Sequence, residues 1–64
     1  MKNRVAELRS SKNLSQEELA QAVGISRQSV IAIEKGRFNP SLPLGLRLGK
    51  FFEVSVEDIF ELDD

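Results

Sequence analysis

The sequence predicts an all-α fold, a compact bundle of four to five short helices. Apolar residues recur at helical spacing, each recurrence begins beside a residue typical of a helix N-cap, and no segment alternates strictly between apolar and polar residues as a half-buried strand would. With 64 residues and neither an internal repeat nor a linker, the chain is expected to form a single domain over residues 1–64.

The composition argues against several classes of function. Cysteine and histidine are both absent, which removes disulfides, most zinc geometries and the commonest general base. An enzyme would have to work with carboxylates, lysines and hydroxyls alone. Because no nucleophile has a base at suitable spacing and no Gly-rich phosphate loop is present, we expect no enzyme activity, no metal and no cofactor. No apolar run approaches the roughly 18 residues of a membrane span and no signal peptide is evident, so a soluble cytoplasmic protein with no membrane partner is expected. A core this small seldom supplies more than about 3–5 kcal/mol, which favours a dimer.

Charge is distributed unevenly along the chain, although the net charge is only −1. Residues 1–50 hold nine Lys and Arg against four carboxylates, a net of +5, whereas residues 51–64 hold six carboxylates and no cation. This segregation suggests a basic working face and an acidic pole kept away from phosphate, although solvated charge that serves solubility would look the same.

The first two helices are predicted from their apolar spacing and their ends. The first covers about residues 2–12 and ends near Asn13. Ser15 and Glu18 have the spacing of a capping box, which predicts that the second helix begins there, and Gly24 suits its end.

Three more helices follow. Ser26 is a good N-cap for the third, whose core-facing residues should be Val30 and Ile33 and which ends near Gly36. Residues 37–40 are expected to form a loop. Ser41 caps a fourth helix that extends to about residue 52, and a short fifth helix follows the cap at position 55, carrying Val56, Ile59 and Phe60.

Only Gly24 and Ile25 separate the second and third predicted helices. Such a short connection makes two helices cross steeply, which predicts a helix-turn-helix over about residues 15–35. The segment LSQEELAQAVGISRQSVIAIEKGRFNPSL (residues 14–42) resembles that motif in the Xre/Cro-repressor family, which includes the phage lambda-type repressors. The resemblance continues to Phe60 and implies a DNA-binding domain whose third helix enters the major groove.

A helical wheel of the third helix places four residues opposite Val30 and Ile33. Arg and Gln can each pair bidentately with a purine, and apolar side chains can contact a thymine methyl group. We expect Gln28 to be the main base-reading residue and Arg27 to read a base or hold a phosphate. For Ile31, thymine contact, partial core burial and incidental exposure remain open. The base-reading candidates are Arg27, Gln28, Ile31 and Ala32.

Phosphate contacts are expected to fix the register of the protein on DNA without reading sequence. The resemblance implies that Gln16 contacts the backbone at the start of the second helix. The other candidates are Ser26, Ser29, Lys35, Arg37 and Asn39; the two cations among them would also suit a helix C-terminus. The resemblance further implies an ion pair between Arg9 and Glu34 that orients the third helix without touching DNA.

The chain departs from the family pattern in its fourth helix. Gly45 and Gly49 stand where the family commonly has larger residues, and each costs about 1 kcal/mol against Ala within a helix unless it allows close backbone packing. Glu53 stands where the family usually has Gly.

The C-terminal third holds more apolar residues than so small a core accommodates. Some are expected to form an exposed, self-complementary dimer face, with a larger core as the alternative. The candidates for this face are Leu46, Phe51, Val56, Phe60 and Leu62.

Two functions from different classes fit these patterns. The first is a homodimeric prokaryotic transcriptional regulator, most readily a repressor, that binds a two-fold symmetric operator in double-stranded DNA with half-sites about 34 Å apart. Its control would come from concentration, a protein partner or proteolysis. The second is an antitoxin or adaptor, a protein-interaction module that uses the same fold.

Overall fold

Five helices and two short strands follow one another in the computed structural model, which describes residues 1–63 and measures 31 × 22 × 21 Å. In chain order they are β1 (Lys2–Asn3), α1 (Val5–Ser11), α2 (Gln16–Val23), α3 (Arg27–Glu34), α4 (Leu42–Phe52), α5 (Val56–Ile59) and β2 (Phe60–Glu61). The mostly helical bundle predicted from the sequence is confirmed.

Local signals set the ends of α2. The Ser15 hydroxyl accepts the Glu18 backbone N–H at 3.0 Å, and the Glu18 carboxylate accepts the Ser15 N–H at 2.8 Å, which completes the predicted capping box. At the other end Gly24 adopts φ 76°, a left-handed conformation that a side chain would disfavour. The chain therefore leaves α2 sharply and begins α3 only three residues later.

The core lies between the helices. Val30 and Ile33 of α3 are each 1% exposed, as the wheel predicts, and α2 and α3 pack on each other more extensively than any other two elements. The remaining buried apolar side chains come from every other helix: Val5, Leu19, Ala20, Val23, Leu44, Leu48, Phe52 and Ile59.

The predicted start of the first helix is wrong. Residues 2 and 3 form a strand that pairs antiparallel with β2, with Lys2 opposite Glu61 and Asn3 opposite Phe60. The helix begins only at Val5, where the Asn3 side-chain oxygen accepts the Val5 N–H at 3.1 Å. Phe60, expected in the fifth helix, lies in β2. Two-residue strands that pair across nearly the whole chain leave no periodic signal in the sequence.

The two unexpected glycines of α4 have different surroundings. A Cβ on Gly45 would lie 3.9 Å from a Val56 methyl group, an ordinary contact. A Cβ on Gly49 would lie only 2.9 Å from the backbone oxygen of Val54, so the α4–α5 connection passes too close for a side chain. Glu53 ends α4 with φ 61°, the left-handed conformation that glycine adopts more easily.

Candidate nucleic-acid interface

The α3 helix presents a polar edge to solvent. Its buried face is held by Val30 and Ile33, while Arg27 and Gln28, at the start of the helix, are exposed. Neither side chain forms a hydrogen bond with another described residue. Both are therefore free to meet a ligand with their full hydrogen-bonding capacity.

The other two base-reading candidates are less exposed. Ile31 and Ala32 are both half-buried. Of the three alternatives for Ile31, the structure thus favours partial burial, with some of the side chain left accessible on the same helix as Gln28.

The serines at the start of α3 are engaged with each other. Ser26 precedes the helix and its hydroxyl accepts the Ser29 N–H at 3.1 Å. The two hydroxyl oxygens lie 3.0 Å apart and share a hydrogen bond. This pair caps the first turn and keeps two hydroxyl groups beside the exposed N–H groups of the helix N-terminus, where an anion is favoured.

The side chain of Glu34 joins three helices. The Arg9 guanidinium of α1 donates to it through Nε at 2.7 Å and Nη2 at 3.3 Å, and the Gln16 amide of α2 donates at 3.1 Å. Arg9 also donates through Nη1 to the Leu14 carbonyl at 2.8 Å. The hydrogen bonds to Glu34 raise the pKa of Arg9 above its ordinary value. The network fixes α3 against α1 and α2.

Gln16 of α2 takes part in this network. It begins α2 and is half-buried, and its amide donates to Glu34. The resemblance assigns it to a phosphate, and an amide has a second N–H and an oxygen with which to make that contact.

Three exposed polar residues follow α3 directly. Lys35 ends the helix, and Gly36 turns the chain with φ 73° so that the Arg37 N–H donates to the Ala32 carbonyl at 3.0 Å. Arg37 and Asn39 are exposed in the loop that leads to α4. The loop thus places two cations at the C-terminal end of α3, where they also suit the helix dipole.

The apolar residues proposed for a dimer face differ in exposure. Leu46 is 52% exposed and Leu62 71% exposed. Phe51 and Phe60 are half-buried and pack against the core, so the larger-core alternative accounts for part of each. Val56 is half-buried beside an open groove between α4 and α5. This groove, the α4–α5 groove, is lined by Leu46, Gly49, Lys50, Glu53, Val54, Ser55, Val56, Glu57 and Asp58.

Sequence reasoning did not single out three residues that the structure makes notable. Leu42 is 71% exposed and Phe38 46% exposed, although both were apolar residues of an expected helix or loop. Asn3 was not singled out, yet its side chain contacts the end of α3. A pattern of apolar spacing carries no signal for any of the three, because each depends on which elements lie nearby.

Two capped helices joined through a left-handed glycine, the second with a buried apolar face and an exposed polar edge, define a helix-turn-helix protein. The family described as Helix-turn-helix matches residues 5–59. An uncharacterized HTH-type transcriptional regulator of Methanocaldococcus jannaschii is 52% identical over 64 residues, which are all of this chain and 97% of that protein. The chain belongs to the Xre/lambda-repressor-type helix-turn-helix family and is a DNA-binding transcriptional regulator, not an enzyme.

Two further relatives extend the comparison. The cryptic phage CTXphi transcriptional repressor RstR of Vibrio cholerae is 32% identical over 57 residues, 89% of this chain and 51% of that protein. The restriction-modification controller protein C.AhdI of Aeromonas hydrophila has a similar structure, with a TM-score of 0.79, 38% identity, and coverage of 89% of this chain and 86% of that one. Among residues 1–63, no helix combines the length and apolar character that a bilayer crossing requires.

Proposed function

We propose that this protein is a sequence-specific repressor of transcription that binds a two-fold symmetric operator as a homodimer, with α3 in the major groove. The observation that carries the proposal is the exposed edge of α3. Arg27 and Gln28 are unpaired with described residues and exposed, and the opposite face of the same helix is fixed in the core. Such an edge has the hydrogen-bonding groups that distinguish base pairs.

The phosphate contacts of the proposed complex lie on both sides of this edge. Gln16, Ser26 and Ser29 lie near the helix N-termini, and Lys35, Arg37 and Asn39 follow the end of α3. Residues 51–64 carry six carboxylates and no Lys or Arg, and all six carboxylates follow the end of α4. This separation favours docking through α3 because phosphate attracts the basic part of the chain and repels the acidic part.

The proposed dimer uses the α4–α5 groove. The exposed side chain of Leu46 and the half-buried Val56 give the groove apolar surface. Its lining also includes a positive residue, Lys50, and two negative ones, Glu53 and Glu57. A two-fold contact brings the same patch of each subunit together, so a patch with both charges and an apolar centre can complement itself. Leu62 and the accessible parts of Phe51 and Phe60 do not line this groove, and we propose them as further members of the dimer contact.

Repression is proposed because occupying a promoter is by itself sufficient to exclude polymerase. The proposal places the protein in the cytoplasm, where prokaryotic DNA lies. A promoter–reporter assay tests the sign: repression requires that reporter output falls when the protein is supplied, and a rise would make the protein an activator.

Selection of bound sites from random DNA tests the reading of sequence. The selected sites should contain two inverted half-sites about one helical turn apart. Gln28→Ala should weaken binding to them by about 1–3 kcal/mol and relax one base position, whereas Arg37→Ala should weaken all sequences alike and reduce the salt slope by about one. Gln21→Ala, the same change on the exposed side of α2, is the matched control. An equal loss on random DNA would remove Gln28 from the base-reading set.

Sedimentation tests the dimer. Leu46→Asp places a charge in the α4–α5 groove and should convert the dimer to a monomer. Leu42→Asp makes the same change one helical turn earlier, at a more exposed residue outside the groove, and should leave the dimer in place. Dissociation by both variants, or by neither, would rule out this groove as the centre of the contact.

A second candidate function is an antitoxin or adaptor, a protein-interaction module. The exposed side chains of Leu42, Leu46 and Leu62 favour it, because they present apolar surface that a partner protein could cover. The dependence of DNA binding on salt separates the two functions. A regulator that contacts several phosphates should lose about 10³-fold in affinity between 50 and 200 mM salt. Weak binding that does not change with salt would favour the interaction module.

A further inference from the structure

The last turn of α3 accepts a hydrogen bond from a residue close to the N-terminus of the chain. The carbonyl groups of a final helical turn have no partner within the helix. The Ile33 carbonyl is one of these, and it accepts the Gly36 N–H at 2.9 Å and the Asn3 side-chain amide at 2.8 Å. Because a carbonyl oxygen has two lone pairs, these two donors satisfy it completely.

Asn3 is itself firmly placed. Its side-chain oxygen accepts the Val5 N–H at the start of α1, and its backbone lies opposite Phe60 in the two-stranded ribbon. The next residue, Arg4, donates its backbone N–H to the Ile59 carbonyl at 2.9 Å. A single asparagine thus joins the first turn of α1, the end of α3 and the C-terminal strand.

The contact from Asn3 complements the network around Glu34. Ile33 and Glu34 are consecutive, but the two contacts attach to different groups: a backbone carbonyl, which points along the axis of α3 toward its C-terminal end, and a side chain, which points away from the axis. Arg9 and Gln16 hold the helix through the Glu34 side chain, and Asn3 holds it through the neighbouring backbone. Attachment through two separate groups restricts rotation of the helix about its own axis, and that rotation decides which side chains face outward.

We infer that Asn3 is a positioning residue for DNA recognition: its hydrogen bond to the Ile33 carbonyl sets the orientation in which α3 presents Arg27 and Gln28. The inference rests on the proposed reading of DNA by α3. Asn3 itself need not touch a base. Its loss should therefore lower discrimination between DNA sequences more than it lowers binding to DNA in general.

The variant Asn3→Ser isolates this hydrogen bond. A serine hydroxyl can still accept the Val5 N–H two residues on, but it is too short to reach Ile33. The matched control is Ser11→Ala, since the Ser11 hydroxyl donates to the Leu8 carbonyl at 2.7 Å near the end of α1. Both variants remove a side-chain donor from a helix end, but only Asn3→Ser removes it from α3.

Two measurements on folded protein decide the inference. The ratio of operator affinity to random-DNA affinity should fall roughly five- to tenfold in Asn3→Ser, the lower end of the loss expected when one bidentate base contact is misaligned, and should stay within about twofold in Ser11→Ala. Residual dipolar couplings of the α3 amides, measured without DNA, should show α3 reoriented against α2 in Asn3→Ser alone. Asn3→Gln, which keeps the amide donor, should restore most of the ratio.

The outcomes separate this inference from the proposed function. An unchanged orientation of α3 in Asn3→Ser would overturn the positioning role even if the protein reads DNA. An equal fall of the affinity ratio in Asn3→Ser and Ser11→Ala would also overturn it, because general loosening would then explain both. A wild-type protein with no preference for any sequence would instead refute the proposed function, and the orientation of α3 would still be decided by the dipolar couplings.

Discussion

Removing the carboxylate of Glu34 should be among the most damaging single changes in this protein. The Glu34 side chain is 8% exposed and its Arg9 partner 18% exposed, so Glu34→Ala leaves a guanidinium that water reaches poorly and that keeps only its hydrogen bond to the Leu14 carbonyl. Breaking a buried ion pair costs about 3–5 kcal/mol. Because Arg9 keeps some access to water, we expect a loss of about 2–3 kcal/mol.

That loss is large for a domain of this size. A core in so small a chain supplies about 3–5 kcal/mol, so Glu34→Ala should leave a measurable unfolded fraction at room temperature. The matched control is Glu7→Ala, which breaks the pair between Arg4 and Glu7, whose side chains are 54% and 66% exposed. An exposed pair of this kind contributes little, and the control should lose no more than about 0.5 kcal/mol.

Urea unfolding followed by far-ultraviolet circular dichroism measures both losses. The double variant Arg9→Ala/Glu34→Ala should be no less stable than Glu34→Ala, since it leaves no unpaired charge behind. If Glu34→Ala were as stable as Glu7→Ala, the reasoning from burial would be refuted and Glu34 would be an ordinary surface carboxylate. DNA affinity should be compared per folded molecule, because unfolding alone would lower the apparent affinity.

The glycines and the left-handed glutamate give two further predictions for the same assay. Gly45→Ala should stabilise the protein by about 1 kcal/mol, because a methyl group there makes only an ordinary contact with Val56. Gly49→Ala should destabilise it, because the methyl group would lie 2.9 Å from the Val54 oxygen. Similar changes in both variants would contradict the contact geometry. Glu53→Gly should stabilise by about 0.5–1 kcal/mol by relieving φ 61°, and no gain would mean that the glutamate side chain contributes there.

Most of the helices were predictable because their signals are local. The hydroxyl of Ser15 and the carboxylate of Glu18 need only three residues of chain to find each other, and Gly24 ends α2 through its own backbone freedom. The burial of Val30 and Ile33 follows from helical spacing alone. The edge of α3 that carries Gln28 could therefore be located from the sequence, whereas its role in reading bases remains a prediction.

The sequence by itself determined which segments become helices, where the bend between α2 and α3 falls and which edge of α3 is polar, because each depends on residues within one or two turns. Only the tertiary structure decided that residues 2 and 3 form a strand, that Asn3 donates a hydrogen bond to the end of α3 and that the backbone of Val54 passes close to Gly49. Each of these depends on a contact between parts of the chain that come together only when the core forms, and spacing along the sequence carries no record of it.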